Sequence, residues 1–120
     1  MITGKFVGDT PFIQVSILGK DSFQSPYFIL DTGFSGDLQI TPQIASDLEM
    51  NFDAEVKARI ADGSVVEVPV AYARAEMEGA INEVEVFVSH SMLLAGISFL
   101  TKFGYTAVVD CKHRTVSLKK

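Results

Sequence analysis

Chemistry is best placed, in this sequence of 120 residues, where an apolar strand hands a carboxylate to a turn of small residues: Tyr27-Phe28-Ile29-Leu30 runs into Asp31, and Thr32-Gly33-Phe34-Ser35-Gly36 follows. The four-residue run is aromatic and β-branched, so it reads as a strand covered on both faces. Such a strand delivers its last residue into a buried place, where a carboxylate is costly unless hydrogen bonds or a partner compensate. Gly33 leaves the backbone free to take φ > 0 and to bring its N–H close to the acid, while Thr32 offers a hydroxyl that both donates and accepts. Two readings follow. Asp31 is an acid poised for proton transfer, or it merely closes a turn after a strand.

Other chemistries have less behind them. Cys111 and His113, with His90, form a Cys-x-His pattern without the paired spacing of zinc sites. No metal or cofactor is implied. A Ser-His-Asp arrangement is no better supported, because neither histidine sits in a recognisable motif. The net charge of −5 argues against a nucleic-acid footprint, and Lys112, His113, Arg114, Lys119 and Lys120 read as a solvated strand edge. No apolar run approaches the length of a membrane span. With one cysteine there is no internal disulfide, and no charged-then-apolar leader precedes the globular pattern, so a cytoplasmic location is expected. The length suits one domain, residues 1–120, burying roughly two thirds of its unfolded surface.

The elements that must hold Asp31 can be read in order. Phe12 to Leu18 is a strand, Gly19-Lys20-Asp21-Ser22 a turn, and Phe23 to Leu30 a returning strand interrupted at Ser25-Pro26, which together predict a hairpin ending at Asp31. Asp37 to Ile40 is a short strand. Thr41-Pro42 opens a helix over 42–49, with Thr41 as cap and Pro42 in the first helical position. Ala54 to Ile60 alternates strictly, and Asp62-Gly63 between it and the next alternating segment predicts a hairpin with a type I′ turn. The apolar phase shifts after Tyr72, which predicts a bulge or a change of sheet there. Val84, Val86 and Val88 alternate with Glu83, Glu85 and Phe87, whose face is expected to be exposed. Ile97 to Phe103 is a short helix closed by Gly104, and two last strands flank a turn at Asp110-Cys111-Lys112-His113.

The apolar-apolar-Asp-Thr-Gly motif resembles that of the retropepsin-like aspartic proteases. A second motif supports the resemblance: Gly96-Ile97-Ser98-Phe99-Leu100-Thr101-Lys102-Phe103-Gly104 is similar to the family's glycine, two intervening residues, Leu-Leu-Thr and later glycine. The likeness spans about Phe12 to Leu118, and Asp-Thr-Gly-Phe-Ser-Gly looks like the variant of bacterial stand-alone members. It implies a mainly β fold, a closed β-barrel or orthogonal sandwich of the acid-protease half type, with one or two short helices and a flap hairpin. It further implies an endopeptidase in which Asp31, Thr32 and Gly33 are catalytic, Thr32 interlocking with the loop of a second chain and Gly33 N–H holding Asp31. The Asp62-Gly63-Ser64 turn would close as a flap over a peptide. Phe34, Ile60, Val66, Leu94 and Ala95 are candidates for the pocket walls. Three positions depart from the retroviral pattern: Phe34 where a small residue is usual, Ser98 where Asn or Asp braces the loop, and Ala95 where a branched residue is usual.

Peptide hydrolysis by carboxylates needs two of them, one to deprotonate water and one, kept protonated, to polarise the carbonyl. This chain carries one Asp-Thr-Gly; Asp110, followed by Cys111-Lys112, reads as a strand-ending turn residue. The second acid must come from a second copy, which makes a homodimer the expected assembly. Two full charges about 4 Å apart at an effective dielectric near 20 repel by about 4 kcal/mol. One proton is therefore shared, as in aspartic proteases generally, and activity should be bell-shaped in pH with an acid optimum. The alternative from a different class is a catalytically silent module of the same fold that dimerises and binds peptides.

Overall fold

The computed structural model of the chain describes residues 1–52, 54–59 and 62–120, with the backbone alone at 54–56, 58 and 59. The order opens with β1 (Ile2–Thr3), β2 (Lys5–Val7), β3 (Thr10–Gln14), β4 (Ser16–Leu18), β5 (Phe23–Gln24) and β6 (Tyr27–Leu30). Then come β7 (Leu38–Ile40), helix α1 (Pro42–Asp47), β8 (Ala54–Arg59), β9 (Val65–Met77) and β10 (Ala80–Val88). The last elements are β11 (Leu94–Ala95), helix α2 (Ile97–Phe103), β12 (Thr106–Asp110) and β13 (Thr115–Lys119).

The first hairpin is bent, and its bend shapes the sheet. β3 pairs with β6 and β4 with β5. At the corner between the two pairs Val15 N donates to Pro26 O at 3.1 Å, and Pro26, which has no N–H to offer, interrupts the return strand. The larger sheet runs β2-β3-β6-β11-β7-β10-β9-β4-β5, with β8 added on β9. Its two ends are thus the two halves of one bent hairpin, so the sheet curls into a half-barrel. Ile13, Phe28, Leu38, Val84, Val86 and Phe99 fill the interior with essentially no exposure. A second sheet of order β1-β13-β12 carries Val116 and Leu118 into the same core. Among the described residues no helix is long and apolar enough to cross a membrane.

Both helices lie where the sequence puts them. Thr41 Oγ1 accepts from Ile44 N at 3.3 Å, the cap expected of it, although α1 stops at Asp47, two residues short of the expected end. α2 spans the expected residues and ends on Gly104 at φ 72°.

The strand after the hairpin tip corrects one expectation and explains another. The ladder between β9 and β10 runs unbroken from Met77↔Ala80 to Val70↔Phe87, so there is no bulge near Tyr72. What changes is the neighbour on the other edge: β8 along Val65–Val70, then β4 along Arg74–Glu76. Val70 and Ala71 point to opposite faces and are both buried. The sheet is covered on both sides at that point, which the sequence registers as a shift of phase. The type I′ turn is also corrected: it needs positive φ at both central residues, and Gly63 has it at 87° while Asp62 does not.

Candidate active site

The fold places the Asp31 turn between β6 and β7, with β11 inserted between those two strands as a parallel neighbour of one and an antiparallel neighbour of the other. That insertion fixes both feet of the turn. Asp31 N donates to Ala95 O, and Gly96 N donates to Asp37 O, each at 3.0 Å. Within the turn, Phe34 N donates to Asp31 O at 3.2 Å and Gly33 N to Asp31 Oδ1 at 2.9 Å. Gly33 does not adopt positive φ. A Cβ there would lie 3.4 Å from Asp31 Oδ1, an ordinary contact, so neither the backbone angle nor the space demands glycine at this position. Asp31 is half-buried, while Thr32 and Gly33 are exposed.

Phe34 is seated rather than loose. Its ring meets Phe87 edge-on, with centroids 5.6 Å apart and planes at 84°, an arrangement favoured by ring quadrupoles. Beneath it are two glycines. A Cβ on Gly36 would come within 2.6 Å of Phe34 Cζ, and one on Gly96 within 2.3 Å of Gly36 O and 2.6 Å of Phe34 O. Gly36 and Gly96 therefore leave the volume in which the turn and its ring pack together.

Two concavities meet at this turn. The larger, of about 900 Å³, is lined on the turn side by Gly33, Phe34 and Ser35, on β9 by Val66, Glu67, Val68 and Pro69, and on β10 and beyond by Glu85, Phe87, Val88, Ser89 and His90, with Gln39 and Lys57. Its walls mix apolar surface with charges of both signs. The smaller, about 570 Å³, lies between Thr32–Ser35 and the α2 residues Ile97, Ser98, Thr101 and Lys102. Phe34 is a wall of both.

The structure gathers some of the expected residues and separates others. Gly33, Phe34 and Val66 line the larger concavity and Thr32 the smaller, while Asp31 is in the wall of neither and is tied to the lining through Gly33 N. Asp62 and Ser64 lie exposed at the tip of the β8–β9 hairpin, where Asp62 Oδ1 accepts from Ser64 Oγ at 2.5 Å and from Ser64 N at 2.8 Å. Those two hydrogen bonds hold the Asp62 carboxyl below its usual range. Gly63 shares the tip, and Ile60 lies outside the described residues. Ala95 is wholly buried in the hydrophobic core and lines neither concavity. Leu94 is half-buried and absent from the walls of both concavities. Glu85 and Phe87, expected on an exposed face, are half-buried and line the groove. The legible signal was Phe87 itself, a large ring in register with Glu83 and Glu85. His113 and Cys111 stay on the β12–β13 turn, His113 Nδ1 lying 2.8 Å from Asp110 Oδ2, and His90 is on the groove. Among the described residues no group of three or more potential ligands is placed to hold a metal.

Asp37 was read as no more than the start of a strand. It is buried, 3% exposed, and its carboxylate accepts from Ser98 Oγ at 2.5 Å, Lys102 Nζ at 2.5 Å and Glu85 N at 2.9 Å. Burial works against its charge, but the Glu85 amide, Lys102 and Ser98 together outweigh that and hold the carboxyl below its usual range. Partners at sequence separations of 48 to 65 leave no local signal to find.

A curled sheet that presents an Asp-Thr-Gly turn beside a hairpin-walled groove defines a class, and the comparison with solved structures agrees: the fold is that of the retropepsin-like aspartic proteases. A retropepsin-like aspartic protease from Rickettsia conorii matches with a TM-score of 0.70 at 15% identity, covering 98% of this chain and 88% of that one. The EIAV protease, solved with the inhibitor HBY-793, matches with a TM-score of 0.59 at 18% identity, covering 85% of this chain and 95% of its own. No protein-family model and no curated protein matches by sequence.

Proposed function

We propose that this protein is an aspartic endopeptidase, active as a homodimer in which Asp31 of each chain supplies half of a carboxylate dyad. The observation that carries this reading is the Asp-Thr-Gly turn, fixed at both feet, opening onto a groove of about 900 Å³ within a retropepsin fold. One carboxylate removes a proton from water and the other, protonated, donates to the scissile carbonyl. Proximity of the two makes the shared proton the stable arrangement.

Several features favour a second copy. The chain has one such turn, and Thr32 and Gly33 are exposed in the isolated subunit, with Ile97 beside them 47% exposed. β12 is an edge strand among the described residues and leaves Val108 and Val109 more than 40% exposed, the kind of surface that pairs with another chain. An extended peptide would lie in the groove, its side chains against Phe34, Val66, Val68, Phe87 and Val88, with the Asp62-Gly63-Ser64 tip closing over it. Phe34 fills space that a smaller residue would leave to substrate, so the pocket it borders should take small side chains.

The test pairs Asp31→Asn with the wild type in peptide-library cleavage between pH 4 and 7 and in sedimentation. Loss of cleavage with the dimer retained supports the reading. A wild type that dimerises but cleaves nothing in the library transfers the conclusion to a silent peptide-binding module.

A further inference from the structure

Asp37 is the charged side chain that the core encloses among the described residues, and its partners form a closed circuit around the Asp31 turn. Asp31 N and Asp37 O are hydrogen-bonded to Ala95 O and Gly96 N. The next residue, Ile97, begins α2, and from α2 Ser98 Oγ and Lys102 Nζ return to the two Asp37 oxygens. Glu85 N adds a tie to β10, whose neighbour Phe87 supports the Phe34 ring. Lys102 Nζ also reaches Glu83 O at 3.5 Å. Fixing a strand end against a helix does not by itself call for a charge, since apolar residues of similar volume commonly serve a core as well or better. A hydrogen-bonded carboxylate adds direction: Glu85 N–H and Ser98 O–H donate to it along set lines, and Lys102 supplies the compensating charge.

We propose that Asp37, held by Lys102 and Ser98, is a positioning residue that sets the orientation of the Asp31 turn against α2. The acid stands at the foot of the turn and its side-chain donors, Ser98 and Lys102, on the helix. Asp37 touches no reacting atom in this role; it acts through the turn whose far foot carries Asp31. The kinetic part of the inference rests on the protease reading, and the placement of the turn does not.

The experiment compares Lys102→Met, Lys102→Arg and Ser98→Ala in the full chain, by peptide cleavage and by amide hydrogen exchange. Lys102 is 43% exposed, so methionine fits there without a clash, and urea unfolding of each variant measures the cost of leaving Asp37 without its cation. Lys102→Met should lower kcat at least tenfold with KM within twofold, at protein concentrations where sedimentation shows the dimer intact. Lys102→Arg, which keeps the charge, should recover most of that loss. Exchange at the Asp31, Gly33 and Phe34 amides should rise at least tenfold in Lys102→Met and less in Ser98→Ala, while amides of the β9–β10 ladder stay protected. Unchanged exchange at the turn overturns the proposal whatever the activity. So does a rise spread evenly over the ladder, which marks general destabilisation; a loosened turn with kcat intact overturns the kinetic part. If the wild type proves inert, the protease reading falls alone, and exchange at the turn still decides the placement.

Discussion

Asp31 and Asp37 stand at opposite feet of one turn, and the fold surrounds them differently. The Asp37 carboxylate takes hydrogen bonds from β10 and from two residues of α2, and it is closed off from solvent. Asp31 receives a single bond within its own loop, from Gly33 N, and stays half-exposed beside a groove. Both acids follow or precede an apolar strand, and each has a backbone tie, Asp31 to Ala95 of β11 and Asp37 to Gly96 just after it. The difference is in who satisfies the oxygens. An acid whose lone pairs are taken by its own subunit is committed to architecture, whereas one with accepting capacity left over can meet water, substrate or a second acid.

The sharpest way to break that contrast is to neutralise each acid in turn. Asp31→Asn should reduce peptide cleavage by at least about 10³-fold, a loss of general acid–base chemistry worth about 4 kcal/mol in the barrier. Its unfolding midpoint in urea should shift little. Asp37→Ala should do the reverse first: it leaves the Glu85 N–H without its acceptor and Lys102 without its counter-ion, at a cost of about 3 kcal/mol. The figure stays at the low end for a broken buried pair because Lys102 can rehydrate. Equal losses of stability in the two variants would erase the distinction.

Acid titration sharpens the contrast further. The Asp37 carboxyl is lowered in the folded chain, so between its folded and unfolded values the unfolded chain binds more protons. Its contribution is complete above the ordinary carboxylate value and is lost as pH falls from about 4 through the lowered one. Urea midpoints followed downward from pH 6 should therefore fall more steeply in the wild type than in Asp37→Asn. The same sign keeps the brace charged across the mildly acid range in which a proton-sharing dyad would work.

How far this was legible from sequence depends on the distance over which each signal acts. The Asp-Thr-Gly turn, the Thr41 cap, the Gly104 stop and α2 are written in neighbouring residues, and they could be placed without a structure. The long strand β9 misled because a periodic pattern assumes one buried face, and this strand changes lateral neighbours midway. The tip misled because Asp62-Gly63 is equally at home outside a type I′ turn, where the acid caps Ser64. Leu94 and Ala95 misled because an apolar pair beside the turn serves core as readily as pocket: Ala95 is wholly buried, and neither residue is in the wall of either concavity. The Asp37–Lys102 pair joins residues brought together only by the whole fold, and no local rule announces it.

Phe34 gives the smaller test on the groove itself. Phe34→Ala removes a half-exposed ring from Phe87, Gly36 and Gly96, and about 1–2 kcal/mol of stability should go with it, less than for a fully enclosed phenylalanine. The more telling result is selectivity. Since this ring borders both concavities, its loss should join them and raise kcat/KM for substrates with bulky side chains relative to small ones, about tenfold or more for a pocket that gains a ring's volume. Unaltered selectivity would mean that the ring supports the turn without facing substrate, and the boundary between the structural and the chemical parts of the turn would then move from Asp37 back to Phe34.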